Sequence, residues 1–198
     1  MKVVLASRNR GKLREIVPLL AGLEFDLVTV DEVAPACELR EDADTFEANA
    51  LAKARQAAAA TGLAAIADDS GLEVDALAGA PGVYSARYAG TPSDDGRNNA
   101  KLLEALRGVA APRAARFRCV AAFVDARAGV ELLRSGDCRG EILEQPRGDL
   151  GFGYDPLFLV PALGRTMAEL PLDEKNRLSH RAAAFRALAQ ALGQRAKH

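Results

Sequence analysis

Short apolar runs alternate with helix-spaced apolar positions along the whole chain. Residues 2–6 hold Val3, Val4 and Leu5 in an unbroken run, which predicts a buried strand. The polar stretch 7–11 breaks it, and Leu13, Ile16, Val17 and Leu20 follow at helical spacing. Pro18 is expected to kink or shorten that helix. Residues 25–30 read as a second strand, and 31–44 as an acidic, irregular segment. A long helix comes next, with Asp44 and Glu47 placed as a capping box and a stripe of Phe46, Ala50, Leu51, Ala54, Ala57 and Ala58. Thr61-Gly62 ends it. Residues 64–67 predict a strand that runs into Asp68-Asp69-Ser70-Gly71, where Gly71 is expected to allow a sharp turn; 72–74 is a further apolar segment. Thr91-Pro92 predicts a helix start with Thr as cap, running to about residue 106. Phe117, Cys119, Ala121 and Phe123 alternate in a strand over 116–125. Residues 130–143 supply one or two more strands, and 157–160 is β-prone. A polar stretch over 170–181 precedes a closing amphipathic helix at 182–192. Helices and strands intermixed throughout define an α/β chain.

Composition narrows the reading. The 198 residues, 49% of them hydrophobic, suffice for one large domain or two small lobes. With 26 basic against 27 acidic residues, there is no excess of positive charge for non-specific nucleic-acid binding. No run of 18 apolar residues predicts a membrane span, and the stretch 3–6 is too short for a signal-peptide core. Cys37, Cys119 and Cys138 are odd in number and far apart, as expected of reduced thiols in a cytoplasmic protein. Only two histidines occur, one of them His198, so a metal would be held by carboxylates, which favours magnesium or manganese.

Four constellations could carry chemistry. Ser7-Arg8-Asn9-Arg10-Gly11-Lys12 joins a strand to a helix N-terminus, an anion site in form, although a solvated basic turn has the same sequence. Asp68 and Asp69 end an apolar run; adjacent residues on an extended chain point opposite ways, so the two acids should not do the same job. The alternative there is an Asx-turn without chemistry. Glu38, Glu41, Asp42 and Asp44 form either a solvated acidic loop or the source of one more magnesium ligand. Finally, Phe152-Gly153-Tyr154-Asp155 offers a ring for stacking, and Lys175, Ser179 and Arg181 offer donors. A core aromatic beside a charged helix start would look the same.

Together these stretches resemble the inosine-triphosphate pyrophosphatase family, the non-canonical purine nucleoside-triphosphate pyrophosphatases. The resemblance rests on LASRNRGK at 5–12, TFEANALAKA at 45–54, AIADDSGLEVDALAGAPGVYSARYAG at 65–90, GFGYDPLF at 151–158 and EKNRLSHRAAA at 174–184. It implies one α/β pyrophosphatase domain over 1–198, an elongated mixed central sheet flanked by helices, with two lobes and an active-site cleft between them. It also implies a homodimer, dependence on Mg²⁺, and hydrolysis of ITP, dITP or XTP to monophosphate and pyrophosphate. By position, Ser7, Arg8, Asn9, Arg10, Gly11 and Lys12 would hold the triphosphate. Glu41 and Asp69 would bind magnesium, Asp69 would be the catalytic base, and Ser70 would contact substrate. Phe152, Gly153, Tyr154 and Asp155 would form the base and sugar pocket, completed by Lys175, His180 and Arg181. A nucleotide-sensing module or a phosphatase releasing orthophosphate could use the same residues; turnover and product identity separate them.

Overall fold

The computed structural model describes residues 1–195, so His198 lies outside the described residues. Strand β1 (Lys2–Leu5) forms where the first apolar run is, with Val3, Val4 and Leu5 buried. Helix α1 (Arg10–Leu20) carries Pro18 near its end and stops two residues later. Strand β2 (Asp26–Thr29) and a single helical turn, α2 (Val30–Val33), follow. Helix α3 (Phe46–Thr61) starts one residue later than the expected cap. Thr45, not Asp44, caps it, its hydroxyl accepting from the Ala48 N–H at 3.2 Å. It ends at Gly62 in the left-handed conformation, as Thr61-Gly62 implied.

The largest departure is strand β3, which runs unbroken from Ala64–Val74. No turn forms at Gly71: the two aspartates sit mid-strand, where the alternation of an extended chain continues. Helix α4 (Asp95–Ala105) begins at Asp94 and not at Thr91-Pro92, because the Asp94 carboxylate takes the Arg97 N–H at 2.7 Å. Strand β4 (Ala114–Asp125) matches its alternation only at first; from Cys119 to Val124 every residue is buried. Strand β5 (Val130–Ile142) is one element. Strands β6 (Phe158–Val160) and β7 (Arg165–Thr166), then helices α5 (Leu172–Leu178) and α6 (His180–Arg195), complete the chain.

Among the described residues, seven strands hydrogen-bond in the order β2-β1-β3-β4-β5-β6-β7. The β1 strand pairs parallel with β2 and β3, while β6 pairs antiparallel with β5 and β7. The sheet is therefore mixed and helix-flanked, the α/β class expected.

The chain divides into two compact units. The first comprises Met1–Asp69, Cys119–Gly136 and the chain from His180 onward; the second comprises Ser70–Arg118 and Asp137–Ser179. In the first, Ile16 and Leu20 of α1 and Phe185 and Leu188 of α6 join Val3, Leu5, Ile66 and Phe123 in one core. Gly136 allows β5 to approach the start of α6, since a Cβ there would press on the backbone of His180 and Ala184. In the second, Leu72, Leu102, Leu157 and Met167 surround Phe117 and Phe158, whose ring centroids are 4.4 Å apart.

Candidate functional site

The loop after β1 is built by its own side chains. Asn9 caps α1, its Oδ1 accepting from the Lys12 N–H at 3.0 Å. Arg8 turns away: it donates to Asp31 Oδ1 at 2.7 Å and to the carbonyls of Pro35 and Cys37 at 2.8 and 3.0 Å. Its charge thus fastens segment 31–37. Ser7 is buried, its Oγ accepting from the Asn9 N–H, while Arg10 and Gly11 form the first turn of α1. Lys12 reaches inward, its Nζ 3.1 Å from Asp68 Oδ2.

The two aspartates of β3 divide as adjacent strand residues should. Asp68 is 1% exposed and meets Lys12, Arg181 Nε at 3.5 Å and the Cys119 thiol at 3.9 Å. Burial works to raise its pKa, but the charges of Lys12, Arg181 and Lys53 prevail and hold its carboxyl well below the usual range. Arg181 also binds Glu15, which is buried on α1. Lys12, itself half-buried, thus joins the buried Asp68, Arg181 and Glu15 in a chain of alternating charge.

Asp69 faces other partners. Its Oδ2 accepts from Asn49 Nδ2 at 3.0 Å, and Lys53 Nζ lies 3.9 Å from its Oδ1. Lys53 also pairs with Glu41. Burial and the nearby Glu41 raise the Asp69 pKa, only partly offset by Lys53 and Lys12. Glu41 is lowered, because Lys53 outweighs its burial. Of the four acids in 38–44, Glu41 is the one brought to this cluster; Glu38 pairs at the surface with Arg40.

Asn49 and Lys53, one helical turn apart on α3, complete the cluster, and neither was singled out by the sequence reading. The signal was there: they are the polar positions on the buried alanine stripe. Asn49 also fixes the preceding loop through both polar groups of Ala43, at 2.9 and 3.1 Å.

In the second unit, Asp155 is buried and accepts from the Phe152 N–H at 2.9 Å and from Lys175. Lys175 Nζ lies 5.1 Å from the centroid of the Phe152 ring, a cation–π distance. Tyr154 donates its hydroxyl proton to the Ser85 carbonyl at 2.8 Å. Ser70, half-buried on β3, is in the same unit, whereas His180 and Arg181, at the start of α6, are in the first.

Among the described residues, no group of three or more His, Cys, Asp or Glu side chains could hold a metal ion. The Glu41–Asp69 pair nevertheless fits one class of ion. Two carboxylates already gathered about one ammonium form an all-oxygen donor set, and magnesium takes one or two carboxylates with waters and phosphate oxygens.

A mixed sheet carrying a basic strand–helix loop and a Lys-bridged carboxylate pair describes one class of protein, and sequence comparison agrees. The model of the Ham1 family matches residues 3–191, and the chain belongs to that family. It is 53% identical to a Geobacter sulfurreducens protein named dITP/XTP pyrophosphatase, over 97% of this chain and 96% of that relative. Among solved structures it resembles a HAM1 protein from Coxiella burnetii at 44% identity, with a TM-score of 0.89, over 98% of this chain and 99% of the other. It also resembles a nucleoside-triphosphatase, or dITP/XTP pyrophosphatase, of Mycobacterium abscessus at 44% identity, with a TM-score of 0.76, over 95% and 97% of the two chains.

Proposed function

We propose that this protein is a nucleoside-triphosphate pyrophosphatase. Its substrates are dITP, XTP and ITP, and its products are the monophosphate and pyrophosphate. The observation that carries the reading is the Glu41–Lys53–Asp69 cluster, joined to full-length likeness to relatives of that name.

Asp69 is the general base. It takes a proton from water as the water oxygen bonds to the α-phosphorus; the bond from that phosphorus to the bridging oxygen breaks, and pyrophosphate leaves with the electron pair. Asn49 orients the Asp69 carboxylate through one oxygen. Lys12 and the N-terminal turn of α1 offer positive potential to the departing phosphates. Glu41 and Asp69 would hold Mg²⁺, which when bound neutralises phosphate charge.

In the second unit, Phe152 supplies a face for the base and Lys175 supplies donors beside it. Hypoxanthine and xanthine present an oxygen acceptor at C6, whereas adenine presents an amino donor. A lysine can only donate, so adenine would set donor against donor. Each buried unsatisfied group costs about 1–3 kcal/mol, enough for strong rejection of ATP.

No helix among the described residues is long and apolar enough to cross a membrane. The role we assign is cleansing of the nucleotide pool by a cytoplasmic homodimer, which light scattering on the purified protein checks for assembly. The deciding experiment is a panel of ITP, dITP, XTP, ATP and GTP with magnesium, reading pyrophosphate and orthophosphate separately. Hydrolysis of ATP or GTP as well as ITP, or release of orthophosphate alone, would overturn the reading.

A further inference from the structure

Helix α4 grips the loop that carries Phe152. Asp95 Oδ2 accepts from the Gly153 N–H at 2.7 Å, and Asn99 Nδ2 donates to the Gly153 carbonyl at 2.9 Å. The two residues are four apart, so one face of α4 presents an acceptor and, a turn later, a donor. They hold the two consecutive peptide groups that flank the Gly153 Cα. Gly153 has a φ of +62°, and a Cβ there would meet nothing within 4 Å. Crowding therefore does not fix this residue; hydrogen bonds do, at the position in the chain where rotation is freest.

The clamp has firm footing. Asp94 caps α4, and Asn98 accepts from the Ala89 N–H at 2.7 Å and donates to the Ala86 carbonyl at 3.1 Å. Leu102 of the same helix is fully buried in the second core. Beyond Gly153, Tyr154 is tied to Ser85. Before it stands the Phe152 ring, half-buried and against Lys175.

We propose that Asp95 and Asn99 are positioning residues that set the pitch of the Phe152 ring and thereby the affinity of the enzyme for the purine base. The inference rests on the base-stacking role given above to Phe152. With Gly153 released, the ring samples more orientations, and base binding must supply the ordering entropy; the phosphate contacts proposed for Lys12 and the start of α1 are untouched.

The test uses Asp95→Ala, Asn99→Ala and Asp95→Asn, which keeps an oxygen acceptor. For each, kcat and KM are measured with dITP and XTP, inhibition with inorganic tripolyphosphate, and exchange of the Gly153 amide by NMR. In the alanine variants KM rises about tenfold, the scale of one lost hydrogen bond, with kcat within about threefold of the parent. Tripolyphosphate, which has no base, inhibits as before. Gly153 exchanges faster in Asp95→Ala, and Asp95→Asn retains parental values throughout. An unchanged KM in a folded alanine variant overturns the role of the clamp and leaves the pyrophosphatase reading standing. Parental protection of Gly153 in Asp95→Ala, or an equal weakening of tripolyphosphate, also overturns it. A parent that turns over none of the nucleotides overturns the pyrophosphatase reading and the role of the clamp together.

Discussion

The Lys53 ammonium stands 3.9 Å from the Asp69 carboxylate while bonded to Glu41, so one buried cation holds two acids in one place. In the base role proposed for it, Asp69 must be ionised, and of the groups around it Lys53 favours this most. Asp69→Asn keeps the size and the contact to Asn49 but removes the charge. Turnover of dITP is expected to fall by at least ~10²-fold, the scale of a general base, with nucleotide still bound. Steady-state kinetics beside calorimetric titration checks both halves. Parental turnover in the variant would remove Asp69 from the mechanism.

The same cluster predicts the metal behaviour. Activity is lost in EDTA and returns with Mg²⁺, while Zn²⁺ replaces it poorly, because the donor set lacks histidine and thiolate. Binding of Mn²⁺, followed by its electron paramagnetic resonance, is present in the parent and weakened in both Glu41→Gln and Asp69→Asn. Equal Mn²⁺ binding in all three proteins would place the ion elsewhere.

Asp68→Asn should reverse the pattern of its neighbour. Asp68 is 1% exposed and stands between Lys12 and Arg181, so its loss removes the carboxylate that both cations share and leaves Arg181 with Glu15. Breaking a buried ion pair costs about 3–5 kcal/mol, and urea unfolding should show a loss of that order. Turnover of the fraction that stays folded falls less than in Asp69→Asn. The opposite ranking in folded protein would mean the two faces of β3 are exchanged.

Local signals in the chain foretold local structure. The Val3–Leu5 run, the Thr61-Gly62 stop and the opposite facing of Asp68 and Asp69 follow from strand alternation and helix capping alone. The continuation of β3 past Gly71 does not, because pairing with neighbouring strands, and not propensity, keeps that segment extended. Likewise Asp94 was hidden behind Thr91-Pro92, an equally good start signal three residues earlier. The site shows the same limit. Asp69 and Lys12 stand in legible motifs, whereas Asn49, Lys53 and Glu15 matter through partners distant in sequence. Their mark was a polar residue on a buried face, readable only once that face was known to be buried.

Thiol chemistry should follow burial. Cys119 is fully buried and its thiol is pushed up; burial, with Asp137 nearby, pushes Cys138 up to about 11. At pH 8 only about one Cys138 in a thousand is a thiolate, so iodoacetamide should mark Cys37 first. Labelling of Cys138 should speed up about tenfold per pH unit towards pH 10. The unfolded chain ionises its thiols near about 8.5, so this contribution to stability is intact below that pH and declines as pH rises towards 11. Peptide mass mapping over a pH series reads the order, and labelling of Cys138 ahead of Cys37 at pH 8 would contradict it.

Arg181 offers the sharpest stability test. The resemblance sets it beside the base, and here its guanidinium is 2% exposed and bonded to Glu15 and Asp68. Burial alone would lower its pKa; the two carboxylates more than offset that and raise it. Glu15→Leu removes one carboxylate and leaves Arg181 sharing Asp68 with Lys12, whereas Arg181→Met leaves Glu15 buried without its cation. Each single variant should lose about 3–5 kcal/mol in urea unfolding. The double variant should lose clearly less than the sum, since it removes a buried charge pair whole instead of stranding one member. Additive losses would mean that Glu15 and Arg181 are not energetically coupled, despite their contact. Glu15→Leu should also strengthen inhibition by tripolyphosphate, because Arg181 then draws Asp68 away from Lys12 and leaves the lysine charge less neutralised. In that case the arginine acts on the phosphates through Asp68, and this variant separates the effect from any contact with the base.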